Sequence, residues 1–213
     1  MRGLRSLILP LGLISLGFAV GAGSLRAEEV EVTAVRFGAV RPAVNSADSW
    51  LEAAVSLNVT PPPSALGRAV SRVRVLLSVG WEVPAPVGNT RRMDYYRAEA
   101  ECVALDAGRT DVRFYFPPEL VKRDQLRGNP PHWTVDIAVA GRSVPPVRSA
   151  AATALSDSAA RRAFQAAAAA GAAVNDGLLQ PQYFTPFALE YPRATPTFVR
   201  REGAPSAPVR ASP

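Results

Sequence analysis

The sequence predicts an antiparallel β-sandwich of immunoglobulin-like type with about seven strands, followed by one helix and a tail rich in proline and aromatic residues. Three observations predict it. Between Glu29 and Val147 apolar residues recur with a period of two, the pattern of strands with one packed face and one wet face. Prolines and glycine-bearing turns interrupt these sets at strand-length spacing. After Arg148 the alternation stops, and alanine, proline and aromatic residues take over.

Residues 1–27 read as a secretory signal peptide. Arg2 and Arg5 precede an apolar run from Leu7 to Val20, and small residues lead down to Ala27. The run is broken by Pro10, Gly12 and Gly17 and is short for a membrane span. The expectation is an exported chain beginning near Glu28, with no stable membrane span, in the periplasm, on the outer surface or outside the cell. Residues 28–148 are then the sandwich. Its first strand runs from Val30 to Val40. Leu51, Ala53, Val55, Leu57 and Val59 mark the second, stopped by Pro61, Pro62 and Pro63. The third is the clearest: Val73, Val75, Leu77, Val79, Trp81 and Val83 alternate with mostly polar residues or glycine.

Tyr96, Ala98, Ala100, Cys102 and Ala104 give the fourth inward set, joined through the turn Asp106-Ala107-Gly108 to Val112, Phe114 and Phe116. Glu119 to Arg127 suit one or two helical turns. Trp133, Val135, Ile137 and Val139 form the sixth set, and Arg142 to Val147 a short, proline-limited last strand. Residues 149–203 carry an alanine-rich helix capped by Ser156 or Asp157, then an aromatic strap or arm. Phe164 is that helix's one large apolar anchor, which predicts weak docking or exposure. Residues 204–213 have nothing to bury and read as disordered.

The chemistry available is sparse. The formal charge of +6 includes Arg2, Arg5 and Arg26 of the leader, and the remaining arginines are interspersed with acids. Nucleic-acid binding calls for a concentrated basic stripe and is not expected. Cys102 is the only cysteine, so no disulfide is available, and its alternating setting marks it as a buried hydrophobe. His132 is the only imidazole, so a nucleophile-and-base site would have to use it; beside Trp133 at a strand start it reads as structural. One His and one Cys fall short of a zinc or copper ligand set, and no cofactor is expected. Glu99 and Glu101 share a strand face that reads as the wet side of a sheet. The chain is therefore expected not to be an enzyme, with a hydrolase using His132 as an alternative.

Binding is the better expectation. Tyr183, Phe184, Phe187 and Tyr191 lie in a proline-rich stretch that cannot form its own core, so they must cover a surface. That surface is either their own sandwich or a protein partner. By the alternation, Trp81 and Trp133 point inward. Trp50, Tyr95 and Tyr115 point outward and are candidates for stacking on a glycan.

Four segments carry a family likeness: Trp50-Leu51-Glu52 opening a strand, the long strand from Arg72 to Glu82, Val112-Arg113-Phe114-Tyr115-Phe116-Pro117, and Asn175-Asp176-Gly177-Leu178-Leu179 before Pro181. In these the chain resembles secreted immunoglobulin-like proteins associated with type IV pilus systems of Gram-negative bacteria. The resemblance implies a non-enzymatic part of an envelope or pilus machine with a protein partner, and transfers no catalytic residue. A prepilin would carry glutamate five residues after its glycine cut. Gly17-Phe18 is present, but the fifth residue is Ala22, so the chain does not read as a conventional pilin subunit.

Overall fold

The computed structural model describes residues 30–43, 48–63, 65–86, 90–191 and 195–199. The expected leader and the expected disordered tail lie outside them. Among the described residues, eight strands form two antiparallel sheets: β1 (Val30–Val40), β2 (Trp50–Val59), β3 (Ala69–Pro84), β4 (Arg91–Asp106), β5 (Gly108–Phe116), β6 (His132–Val139), β7 (Arg142–Ser143) and β8 (Gln180–Pro181). One sheet has the order β1-β2-β5-β8 and the other β4-β3-β6-β7. Up to β7 the chain changes sheets between β2 and β3, between β4 and β5, and between β5 and β6, which is the crossing pattern of an immunoglobulin-type sandwich, and it returns to the first sheet at β8.

The alternation sets the faces. Val55, Leu57, Phe114 and Phe116 of one sheet meet Val73, Val75, Leu77 and Val79 of the other, all buried. Phe116 receives the Trp81 ring edge-on at 6.1 Å and the Tyr96 ring edge-on at 5.4 Å. Cys102 is buried in this core, which pushes its thiol up to about 12. Trp133 is half-buried rather than sealed, because β6 leaves it at the sandwich margin against Phe37, 6.3 Å away.

Pro117 ends β5, and Pro118 starts helix α1 (Pro118–Arg123), where a missing N–H costs nothing. The helix drops Leu120 and the following Leu126 into the core. The Tyr96 hydroxyl donates to Asp124 at 2.5 Å, and Arg123 donates to the same carboxylate twice at 2.7 Å. Burial works to raise the Asp124 carboxyl, yet these bonds hold it below its ordinary range. β7 is shorter than the alternation suggested, since Pro145 and Pro146 offer no N–H to a ladder.

Helix α2 (Ser158–Gly171) starts where expected, with the Asp157 carboxylate accepting from the Ala159 and Ala160 N–H groups at 2.8 Å. The expectation of weak docking is corrected. The helix lies on the outer face of the β4-β3-β6-β7 sheet, with Phe164 and Ala168 buried and Gln165 donating to Asp136 at 2.7 Å. Small residues replace large anchors here. A Cβ on Gly80 would sit 2.8 Å from Phe164 Cε2, and one on Gly171 only 2.6 Å from Tyr95 Cδ2. The glycines let helix and sheet approach closely enough for one phenylalanine to suffice.

Several described residues beyond 148 join the main core, while those under α2 form a second cluster. Ala150 and Leu179 are buried in the main cluster, and Leu178, Tyr183 and Phe198 pack against it. Their backbone also covers sheet edges. Gln180 and Pro181 pair with Tyr115 and Phe114 on β5, Ala151 bridges Thr134 of β6, and Phe198 bridges Cys102 of β4. An uncovered strand edge is a template for unwanted pairing, and the C-terminal segment covers part of three of them.

Candidate interaction surface

The surface begins where β8 turns the chain onto the outer face of the β1-β2-β5-β8 sheet. Gln182 is fully buried and organises residues 182–191 together with Thr195. Its side-chain amide donates to Phe187 O at 3.0 Å, Glu190 O at 3.2 Å and Thr195 Oγ1 at 3.0 Å, closing the segment into a compact strap. The Thr185 hydroxyl donates to Gln182 O at 2.7 Å and accepts from the Phe187 N–H at 3.2 Å. With Pro186 fixing the next φ, a short helical turn drives Phe187 toward the sheet.

Phe187 fills the space between two of the rings expected to face outward. It stacks on Tyr115 at 4.2 Å with an interplanar angle of 5°, and meets Trp50 edge-on at 5.6 Å. Tyr115 is consequently buried, and its hydroxyl donates to Glu52 at 2.8 Å. Burial, reinforced by the Glu52 charge, raises the phenol well above its ordinary range.

Beside this apolar half lies a charged half. Arg113 projects from β5 between Asp111, 2.8 Å away, and Glu52, 3.7 Å away. Tyr191 covers it, with the guanidinium carbon 4.6 Å from the ring centroid. Ser56 donates to Asp111 at 2.7 Å, and Arg36 reaches the same carboxylate at 3.6 Å. Arg36, Ser56, Arg109 and Asp111 then line a polar, solvent-open pocket of about 660 Å³, bordered on its other side by the β4–β5 turn and residues 195–197. These groups come from strands distant in sequence, and no local motif marks them.

The sequence candidates thus separate. Tyr183, Phe184, Phe187 and Tyr191 all sit on the strap, but only some face outward. Phe187 is fully buried, whereas Phe184 is 62 % exposed and Tyr191 42 %. Leu189, which no sequence pattern singles out, is 90 % exposed, although it lies two residues from buried Phe187. Tyr183 connects Phe184, at 4.5 Å between ring centroids, to Phe198, at 5.1 Å.

The three rings considered for glycan stacking do not share a surface. Trp50 and Tyr115 lie under Phe187 on one sheet. Tyr95 lies on the outer face of the other, 6.0 Å from Phe164 beneath α2. Alternation correctly turned them away from the core and could not show what covers that side. His132 also lies beneath α2, its ring 6.1 Å from that of Phe164 and its Nδ1 buried with no hydrogen-bond partner. Glu101 is buried rather than wet, 2.8 Å from Arg72, because the C-terminal segment lies along β4. No helix among the described residues is long and apolar enough to cross a membrane.

Fold and surface together define an immunoglobulin-like β-sandwich whose own C-terminal strap covers sheet edges and part of one outer face. The crystal structure of a protein from Akkermansia muciniphila is similar, with a TM-score of 0.61 and 14 % identity over 81 % of this chain and 94 % of that one. At that identity the likeness concerns the fold alone. No protein-family model matches the chain, and no curated protein matches it in sequence.

Proposed function

We propose that the protein is exported and works in the bacterial envelope by contact with another protein, without chemistry of its own, as an associated part of a type IV pilus system. One observation carries the contact reading. The strap is anchored from below by the hydrogen bonds of Gln182 and the packed ring of Phe187, yet displays Phe184, Leu189 and Tyr191 outward. Large apolar side chains held in a fixed geometry lose little entropy on binding, which favours use as an interface. The layout of residues 1–27 supports export. The pilus association rests on the family resemblance of the four segments from Trp50 to Pro181.

The test is site-specific photo-crosslinking in native cells, with the reactive group placed at Phe184 or Leu189 and, as a control, at exposed Arg162 on α2. Discrete adducts with one envelope protein at the two strap positions, and none at the control, are expected. Strap positions that yield no adduct, or the same adducts as the control, would remove the contact reading. Fractionation of the same cells checks the address: a cytoplasmic protein retaining residues 1–27 contradicts export.

A further inference from the structure

Residues 195–199 form a piece of strand laid against the edge of β4. The Val103 N–H donates to Thr197 O at 2.8 Å, and the Val199 N–H to Glu101 O at 2.7 Å. Cys102 and Phe198 face each other between these bonds, and the Phe198 ring packs on the core and on Tyr183. Thr195 Oγ1 donates to Glu190 O at 3.1 Å while accepting from Gln182. Every one of these contacts needs only an extended pentapeptide in the right register. None requires that the pentapeptide belong to the same molecule.

The chain is strained at Tyr191, where it leaves the strap toward this segment. The Thr195 N–H closes a turn on Tyr191 O at 3.0 Å, and Tyr191 adopts a φ of +60°. A bulky side chain rarely occupies that left-handed region, and Tyr191 also precedes Pro192, where the backbone favours extended conformations. An extended backbone at Tyr191 relieves both conflicts and redirects residues 195–199 away from their own sheet. A short strained hinge in front of a terminal strand is the situation in which identical segments exchange between copies.

We infer that residues 195–199 are an exchangeable strand, and that the β4 edge of one molecule accepts this segment from a second copy of the chain. Reciprocal exchange rebuilds each edge contact and alters only the hinge. The dimer is therefore opposed mainly by the entropy of association and grows with concentration. This goes beyond the proposed function, since it needs no other protein and uses a sheet edge rather than the exposed strap rings.

The test uses the full mature chain, unfolded and refolded at micromolar and at millimolar concentration, then sized by chromatography with light scattering. Monomer at the low concentration and a substantial dimer fraction at the high one are expected. Phe198→Cys locates the contact, because Cys102 supplies the only other thiol. A catalytic oxidant is applied for hours to the separated fractions, since the buried Cys102 thiol is slow to ionise. The dimer fraction is expected to become a covalent dimer and the monomer fraction an internally bonded monomer. A dimer fraction that yields only internally bonded monomers overturns the inference, as does wild-type protein that stays monomeric at both concentrations. Should Phe198→Cys not fold, a Gly-Gly-Ser insertion between Arg193 and Ala194 decides. It relaxes the hinge, so the dimer fraction should fall several-fold; an unchanged fraction overturns the exchange.

Discussion

Removing the ring of Phe187 tests whether the strap is part of the folded domain. The side chain is fully buried, stacked on Tyr115 and edge-on to Trp50. Truncating a buried phenylalanine to alanine costs about 3–5 kcal/mol when the cavity does not collapse. The ring stacking places this site toward the upper part of that range, because aromatic pairs add about 0.5–1.5 kcal/mol beyond area burial. The loss is capped by the docking free energy of the strap, since a destabilised strap can open while the sandwich survives. Urea unfolding followed by tryptophan fluorescence separates the two outcomes. Trp50 touches Phe187 directly, so strap opening shifts its emission before the main transition, whereas cooperative loss moves the whole transition to lower urea. Phe184→Ala is the control, with an expected change within about 0.5 kcal/mol because that ring is mostly exposed. Phe187→Ala protein with the parent's midpoint and the parent's emission would refute this packing.

Two further outcomes concern α2. Gly171→Ala is expected to destabilise by about 1–3 kcal/mol, because the new methyl group meets the Tyr95 ring, and chemical denaturation measures it directly. Asp136 is raised above its ordinary carboxyl range, chiefly by burial, with Arg97 and Gln165 opposing. A carboxyl raised in the folded state binds its proton more tightly there than in the unfolded chain. Its contribution therefore weakens as pH rises from the unfolded carboxyl value through the higher folded one, and remains unfavourable above. Asp136→Asn keeps an acceptor for Gln165 and should match or exceed the parent's stability at pH 7, with the difference shrinking toward pH 3. Melts across that range check the sign, and a mutant less stable at pH 7 than at pH 3 relative to the parent would contradict it.

The alternation of β2, β3, β5 and β6 was enough to place the sandwich core, because a period of two fixes which side of a strand is packed, and a slip of one residue would bury the arginines of β3. The start and stop signals were equally local: Pro117 ended β5, and Asp157 capped the start of α2. The same local rules could show that Trp50, Tyr95 and Tyr115 point away from the core, but not what lies beyond them. That depended on where α2 and the strap came to rest, which is decided by contacts between residues far apart in the chain. Gln182 folds the strap through acceptors 5, 8 and 13 residues along the chain, but the Tyr115 ring on which Phe187 stacks belongs to β5, far away in sequence. Phe164 seats α2 because Gly80 and Gly171 leave room, and small residues announce no packing in a hydrophobic pattern. Periodicity reports the environment of a strand's own two faces. The coverage of its outer face and its edges is settled only by tertiary assembly, and there the candidate surface of this protein was made.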